Sequence, residues 1–313
     1  MTATTVPTAR PGTPPPAPPR GALKRRRRAS AIGLVIPSTI PIIIFSVIPL
    51  MAGVYLAFTD STLSRNDTAD FVFLQNFTEL LSDRLFWESF RIGMIWTVSV
   101  TLLQLVAALG LALLLNANLR FSGFTRVLAL IPWAMPPVVV SIMWTMIYAP
   151  AGPLNVVLSI SGDTVSTNWL SEFSTALPAV IVVGIWVGMP QTTITILAGL
   201  QQIPDELLEA AEVDGASSFE RFRHILLPSL KPIITSITSL NFIWNFNSFG
   251  LVYVMTEGGP GGRTMLPMLF TYLEAFKSRN LGYASAMGCA LVVIVVLLLA
   301  VYLWSQFREE KIR

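Results

Sequence analysis

Hydrophobic residues fall in six long stretches, at about 32–58, 92–115, 127–148, 177–200, 233–255 and 283–304. Each is long enough for a membrane helix, since about 30 Å of hydrocarbon takes roughly 20 apolar residues. None has Asp, Glu, Lys or Arg in its interior, as expected when one such charge at mid-membrane costs about 2.5–3.5 kcal/mol. Between the fourth and fifth stretches the pattern breaks at length. Residues 201–231 are too many for a plain connector and carry a helical period of their own. Pro204 suits a first helical turn, and Asp205 and Glu206 follow where the helix dipole favours acids. Leu207, Leu208 and Ala211 share a face. Asp214-Gly215 stops the run, because glycine readily takes left-handed geometry. Phe219, Phe222 and Ile225 then recur every third residue. The segment predicts a helix–turn–helix closed by Pro228.

Composition fixes the class. Of 313 residues, 53% are hydrophobic and 12% charged, against about 25% charged in soluble domains. The chain reads as an all-α integral membrane protein, with six transmembrane helices over 29–313 and a helical cytoplasmic loop at 201–231. Residues 1–28 form a Pro-rich, basic tail, too poor in apolar side chains to offset its ordering entropy and therefore read as disordered. Its run Lys24-Arg25-Arg26-Arg27-Arg28 precedes an apolar stretch far longer than a signal-peptide core of about 7–15 residues, so that stretch reads as an uncleaved first helix. With the N-terminus inside, most of the 21 Lys and Arg lie on the cytoplasmic side. That asymmetry puts both termini in the cytoplasm. One cysteine, Cys289, and one histidine, His224, allow neither an internal disulfide nor a Cys/His metal cluster.

The spans are rich in proline: Pro37, Pro41 and Pro49 in the first, Pro132, Pro136 and Pro137 in the third, Pro178 and Pro190 around the fourth. Interior prolines kink helices and free carbonyls, which inside a membrane need protein or cavity partners. That favours a lined pathway over simple anchors. In the fifth span Asn241, Asn245 and Ser248 recur on one helical face beside Trp244, and Trp186 and Gln191 are candidates in the fourth. Amides match hydroxyls without charge, and the indoles offer stacking surfaces. With no intramembrane Arg or Lys to hold an anion, the pattern favours a neutral sugar or polyol. The alternative is that these amides bind helices to one another. Outside, segments 60–90 and 149–176 carry Asp67, Asp70 and Asp163, available to an external protein.

The first half of the 201–231 loop is acidic, with Asp205, Glu206, Glu209, Glu212 and Asp214. Anionic lipid would repel it, so a protein partner fits better than an interfacial helix. Glu209-Ala210-Ala211, three residues, Gly215, nine residues and Ile225-Leu226-Leu227-Pro228 resemble the EAA loop of binding-protein-dependent ABC importer permeases, patterned EAA-x3-G-x9-I-x-LP. Pro132-Trp133 with Pro136-Pro137, Gly152-Pro153-Leu154-Asn155, Ala198-Gly199-Leu200-Gln201 and Glu257-Gly258-Gly259-Pro260 resemble the carbohydrate-uptake branch, similar to the maltose-type first permease. Glu257 stands where that branch usually has a small residue.

The resemblance implies a type I ABC importer permease fold and a bacterial cell-membrane location. It implies that the EAA loop docks on a separate ATPase through Glu209, Ala210, Ala211, Asp214, Gly215 and Ala216. Ile225, Leu227 and Pro228 would root the loop against the membrane helices. Implied partners are two ATPase subunits, a second permease forming a heterodimer, an extracytoplasmic solute-binding protein, and a sugar cargo. ATP and Mg would be bound by the ATPase, leaving this chain without cofactor or catalytic residues; no GxxxxGK[ST] phosphate cradle is present. Glycerol-3-phosphate or another polyol derivative is the alternative cargo. The rival class, a secondary transporter, would show intramembrane acids or an inverted repeat, and neither is visible. No nucleic-acid partner is expected.

Overall fold

In a computed structural model, residue 37 and residues 39–64, 69–117, 122–161 and 164–312 are described, without the side chains of 122, 161 and 305–312. The tail at 1–28, the first residues of the first span, Asp67 and Asp163 lie outside the described residues. The chain divides at Gly53 into two compact units. The first holds most of helix α1 (Thr39–Leu56). This helix contains a π-helical turn over Ile43–Val47, closed by the N–H of Ile48 donating to Ile43 O. Pro49 follows directly. A proline cannot donate and crowds the turn before it, and the widened turn accommodates both effects.

The second unit is helical, with two isolated antiparallel bridges, Thr59–Phe71 and Thr62–Asn280, among the described residues. Its elements are α2 (Gln75–Ser82), α3 (Arg84–Asn116), α4 (Ser122–Ala134), α5 (Pro137–Ile147), α6 (Pro153–Leu158), α7 (Ala176–Leu200), α8 (Asp205–Val213), α9 (Ser218–Phe246), α10 (Gly250–Thr256), α11 (Pro267–Phe276) and α12 (Leu281–Ile312). Helix α3 takes part in three apolar clusters. Trp96 and Val100 pack with Val180 and Val183 of α7, Val140 of α5 and Leu269 of α11. Phe86 packs with Phe246 of α9 and Met287 of α12. Ala108, Ala112 and Leu115 pack with Ile196, Leu200 and Leu230. Small residues bring α7 close to α3: a Cβ on Gly184 would lie 2.7 Å from the Trp96 ring, and one on Gly188 would lie 2.4 Å from Gln104 Oε1.

Asp83 starts α3. Its Oδ1 accepts from the N–H groups of Leu85 (2.8 Å) and Phe86 (3.3 Å), satisfying donors a helix start leaves open. Its Oδ2 accepts from the Tyr283 hydroxyl at 2.6 Å, tying the start of α3 to the start of α12.

Among the described residues, α1, α3, α7, α9 and α12 contain segments long and apolar enough to span a membrane, and α4 with α5 make a sixth crossing if counted together. Three expectations are corrected. The stretch at 127–148 is not one helix, because α4 and α5 meet at 95°. Pro136 sits there with ψ 134, as a residue preceding proline must, since the ring of Pro137 excludes helical geometry before it. The stretch at 233–255 breaks after Phe246, with Asn247 capping α9 and Phe249 at φ −138, ψ −61 before α10 begins. Ser248 therefore lies in the break and not on a helical face with Asn241 and Asn245. Pro228 does not close the second helix of the 201–231 loop either. A π-helical turn over Phe222–Leu226, in which Leu227 N–H donates to Phe222 O, carries the chain through Pro228 into α9. The same device precedes Pro49 in α1.

Candidate functional site

The loop at 201–231 is built by local chemistry. Helix α8 begins at Asp205 after Pro204, with Asp205 and Glu206 in its first turn. It ends on Gly215, whose φ of 82 is left-handed. Ala216 N–H donates to Ala211 O (2.8 Å) and Gly215 N–H to Glu212 O (3.0 Å), the bond pair of a glycine-terminated helix. Ser217 then starts α9: its Oγ accepts from Glu220 N–H, while its own N–H and hydroxyl donate to Glu220 Oε2, each at 2.7 Å. This reciprocal cap holds the Glu220 carboxyl below its ordinary range, through the Ser217 hydroxyl first and its backbone N–H second. Glu220 lies in the polar beginning of α9, ahead of its apolar stretch. Arg221 Nη1 donates to Glu212 Oε2 at 2.7 Å, joining the two halves of the loop across the turn.

Glu209, Ala210, Asp214 and Gly215 are exposed, while Ala211 and Ala216 are half-buried. Ile225 is half-buried; Leu227 and Pro228 are exposed. Contact with the apolar cluster below is made by Leu226 and Leu230. Two residues that the motif does not mark stand out: Val213 is 88% and Phe219 67% exposed. Both are large apolar side chains on an otherwise acidic segment. Their signal in the sequence was an apolar residue at each flank of the Asp214–Ser217 turn.

Within the membrane segments, the fifth-stretch amides reach across to other helices. Asn241 Nδ2 donates to Thr192 Oγ1 at 2.9 Å, and Gln104 Nε2 donates to the same oxygen at 2.7 Å and to Gly188 O at 3.0 Å. Gln104 Oε1 is buried without a hydrogen-bond partner among the described residues. Asn245 Nδ2 donates to Thr101 Oγ1 at 2.9 Å, and Trp96 Nε1 donates to Asn245 O at 3.0 Å. These bonds tie α3 and α7 to the C-terminal third of α9. Trp244 is half exposed, Trp186 sits edge-on to Trp144 at 5.6 Å, and Gln191 is half-buried. The structure thus brings Asn241 and Asn245 to helix contacts; among the described residues the side chains of Trp244 and Gln191 do not join these bonds, and Ser248 N–H donates to Asn245 O at 3.1 Å in the turn after α9.

Binding-protein-dependent transport system inner membrane components match residues 104–311. The trehalose/maltose transport system permease protein MalF of Thermococcus litoralis is 34% identical over 92% of this chain and 97% of its own length. The sulfoquinovosyl glycerol transport system permease protein SmoG of Agrobacterium fabrum is 34% identical over 88% of this chain and 90% of its own. Among solved structures, a bacterial ABC transporter involved in the import of the acidic polysaccharide alginate has a chain that superposes with TM-score 0.74 at 19% identity. That match covers 93% of this chain and 99% of that one.

Proposed function

The chain belongs to the family of inner membrane components of binding-protein-dependent transport systems, and on that premise we propose that it is a permease subunit of an ATP-driven sugar importer, coupled to a separate ATPase through residues 201–231. The observation that carries the coupling is the exposed patch of Glu209, Ala210, Val213, Asp214 and Phe219 on a loop fixed internally by two caps and the Arg221–Glu212 pair. A rigid patch transmits a partner's motion, whereas a mobile one would absorb it. Small side chains at Ala210 and Gly215 leave room for close approach.

In this reading both termini are cytoplasmic and a second permease completes the pathway. Two ATPase subunits bind ATP and Mg, and an extracytoplasmic binding protein delivers the cargo. The sugar assignment is supported by the carbohydrate-uptake motifs and by relatives named for trehalose, maltose and sulfoquinovosyl glycerol. The ties made by Asn241 and Asn245 leave Trp244, Gln191, Trp186 and Ser248 as the groups best placed to meet cargo once the helices rearrange. ATPase copurification with Glu209→Lys and Gly215→Pro tests the coupling: loss of the ATPase with the permease still inserted is expected, and normal assembly and uptake in both variants would refute the docking claim. ATPase stimulation of the reconstituted complex across sugars and glycerol phosphates tests the cargo, and stimulation by phosphates alone would overturn the sugar reading.

A further inference from the structure

A cleft of about 570 Å3 opens between the end of α5, the connector after α6 and the turn after α10. Sites for small molecules are commonly of this size. Both walls are fixed. On one, Asn155 Nδ2 donates to Ala149 O, Pro150 O and Thr167 O, and its Oδ1 accepts from Trp169 Nε1. On the other, Thr264 Oγ1 donates to Gly259 O at 2.7 Å and is bonded to Thr256 Oγ1 at 2.7 Å.

Three exposed side chains lining this cleft, Asn168, Ser171 and Glu257, make no hydrogen bond or ion pair with other described residues and stand open to a solute. Glu257 has φ 50, ψ 28. Glycine or asparagine would hold that left-handed backbone at less cost. A strained backbone at a cleft is an observation from which function can be argued. No Lys or Arg lines the cleft. An amide, a hydroxyl and an acceptor-only carboxylate together suit a polyhydroxylated ligand, since each can bond a hydroxyl. The same carboxylate repels an anion at short range, which is discrimination by repulsion.

We propose that this cleft is a first station for sugar on the extracytoplasmic side, and that Glu257 makes it selective for neutral saccharides over those bearing carboxylate, sulfonate or phosphate. The proposal rests on the sugar-importer reading and on its placement of this face outside.

The test uses the whole reconstituted complex with Ser171→Cys in a Cys289→Ala background. Labelling of the new thiol by a membrane-impermeant maleimide is timed with glucose, maltose, trehalose or sucrose present, and with the glucuronic-acid counterpart of each. Slowing of labelling by at least one neutral sugar, and not by its uronic acid, is expected. Glu257→Gln should then improve the uronic acid's apparent affinity by about tenfold, the scale of removing a like charge a few ångströms away. Glu257→Asn, suited to the left-handed backbone, should do the same and guards against misfolding. Equal protection by neutral and acidic sugars with Glu257 intact would overturn the proposal. Uptake of the same neutral sugars is measured alongside: uptake without protection overturns the cleft alone, whereas no uptake of any of them overturns the sugar reading and the cleft with it.

Discussion

Gly188→Ala should destabilise this protein although alanine is the better helix former. The added Cβ would lie 2.4 Å from Gln104 Oε1, 2.7 Å from its Cδ and 2.9 Å from its Nε2. All three distances are shorter than non-bonded atoms tolerate, so Gln104, 2% exposed, has to move. Moving it breaks its bonds to Thr192 Oγ1 and Gly188 O. Hydrogen bonds between membrane helices average about 0.6 kcal/mol and reach about 1.7 kcal/mol. Overpacking adds about 1–3 kcal/mol, and the helix-propensity gain returns at most about 1 kcal/mol. The net expectation is a loss of about 1–3 kcal/mol. Cys289 is the chain's single cysteine and is half-buried, so a thiol-reactive dye reports thermal unfolding directly. Gly188→Ala should lower the midpoint by several degrees. Gly110→Ala, with nothing within 4 Å of the added Cβ, should not. Gln104→Ala with Gly188→Ala should cost less than the two single changes together, by at least about 1 kcal/mol. Additivity within about 0.5 kcal/mol, or an unchanged midpoint in Gly188→Ala, would refute the close-approach argument.

Asp83→Ala removes both the start of α3 and the bond from Tyr283, and should cost about 2–4 kcal/mol; Tyr283→Phe should cost less, and equal losses in the dye assay would contradict the dual role. Val213→Asp should leave the unfolding midpoint within about 1 °C, because surface changes stay near ±0.5 kcal/mol, yet prevent ATPase copurification; retained ATPase would remove Val213 from the docking patch. The Ser217–Glu220 cap should depend on pH in one direction only. Its carboxyl is depressed in the folded chain, so its stabilisation is present above the ordinary glutamate value and is lost as pH falls through the depressed one. Protection factors of the amides at 217–221, taken against the intrinsic exchange rate at each pH, should fall there and stay flat towards neutral pH. In Glu220→Gln the acid limb should disappear, and its persistence would assign the effect to another group.

The helical loop at 201–231 was legible because its determinants are neighbours in the chain. Gly215, Ser217 and Glu220 end one helix and begin the next within six residues, and turn chemistry is local. The apolar spans were legible for the same reason, as runs. What crosses between helices was not. Asn241 meets Thr192 across 49 positions and Asn245 meets Thr101 across 144, and no period in the sequence points from one to the other. Proline misled twice, in opposite directions. Pro136-Pro137 turned a continuous apolar run through 95°, because the first ring cannot be helical ahead of the second. Pro228 failed to stop a helix, because one wide turn in front of it absorbed the missing donor.

That second outcome makes α9 a single lever. From Ser218 to Phe246 it has 29 residues, about 43 Å at 1.5 Å each. A tilt of roughly 10° pivoting at its Ser218 end would carry Phe246 through about 7 Å, more than one helical turn of 5.4 Å. Had the helix ended at Pro228, the same displacement would have been spent at a joint on the membrane surface. The joint instead follows Phe246, at Asn247–Phe249, where α9 hands over to α10 deep within the apolar stretch. A displacement entering at the acidic loop would therefore be carried along one continuous helix as far as Trp244 and Asn245, beside that joint.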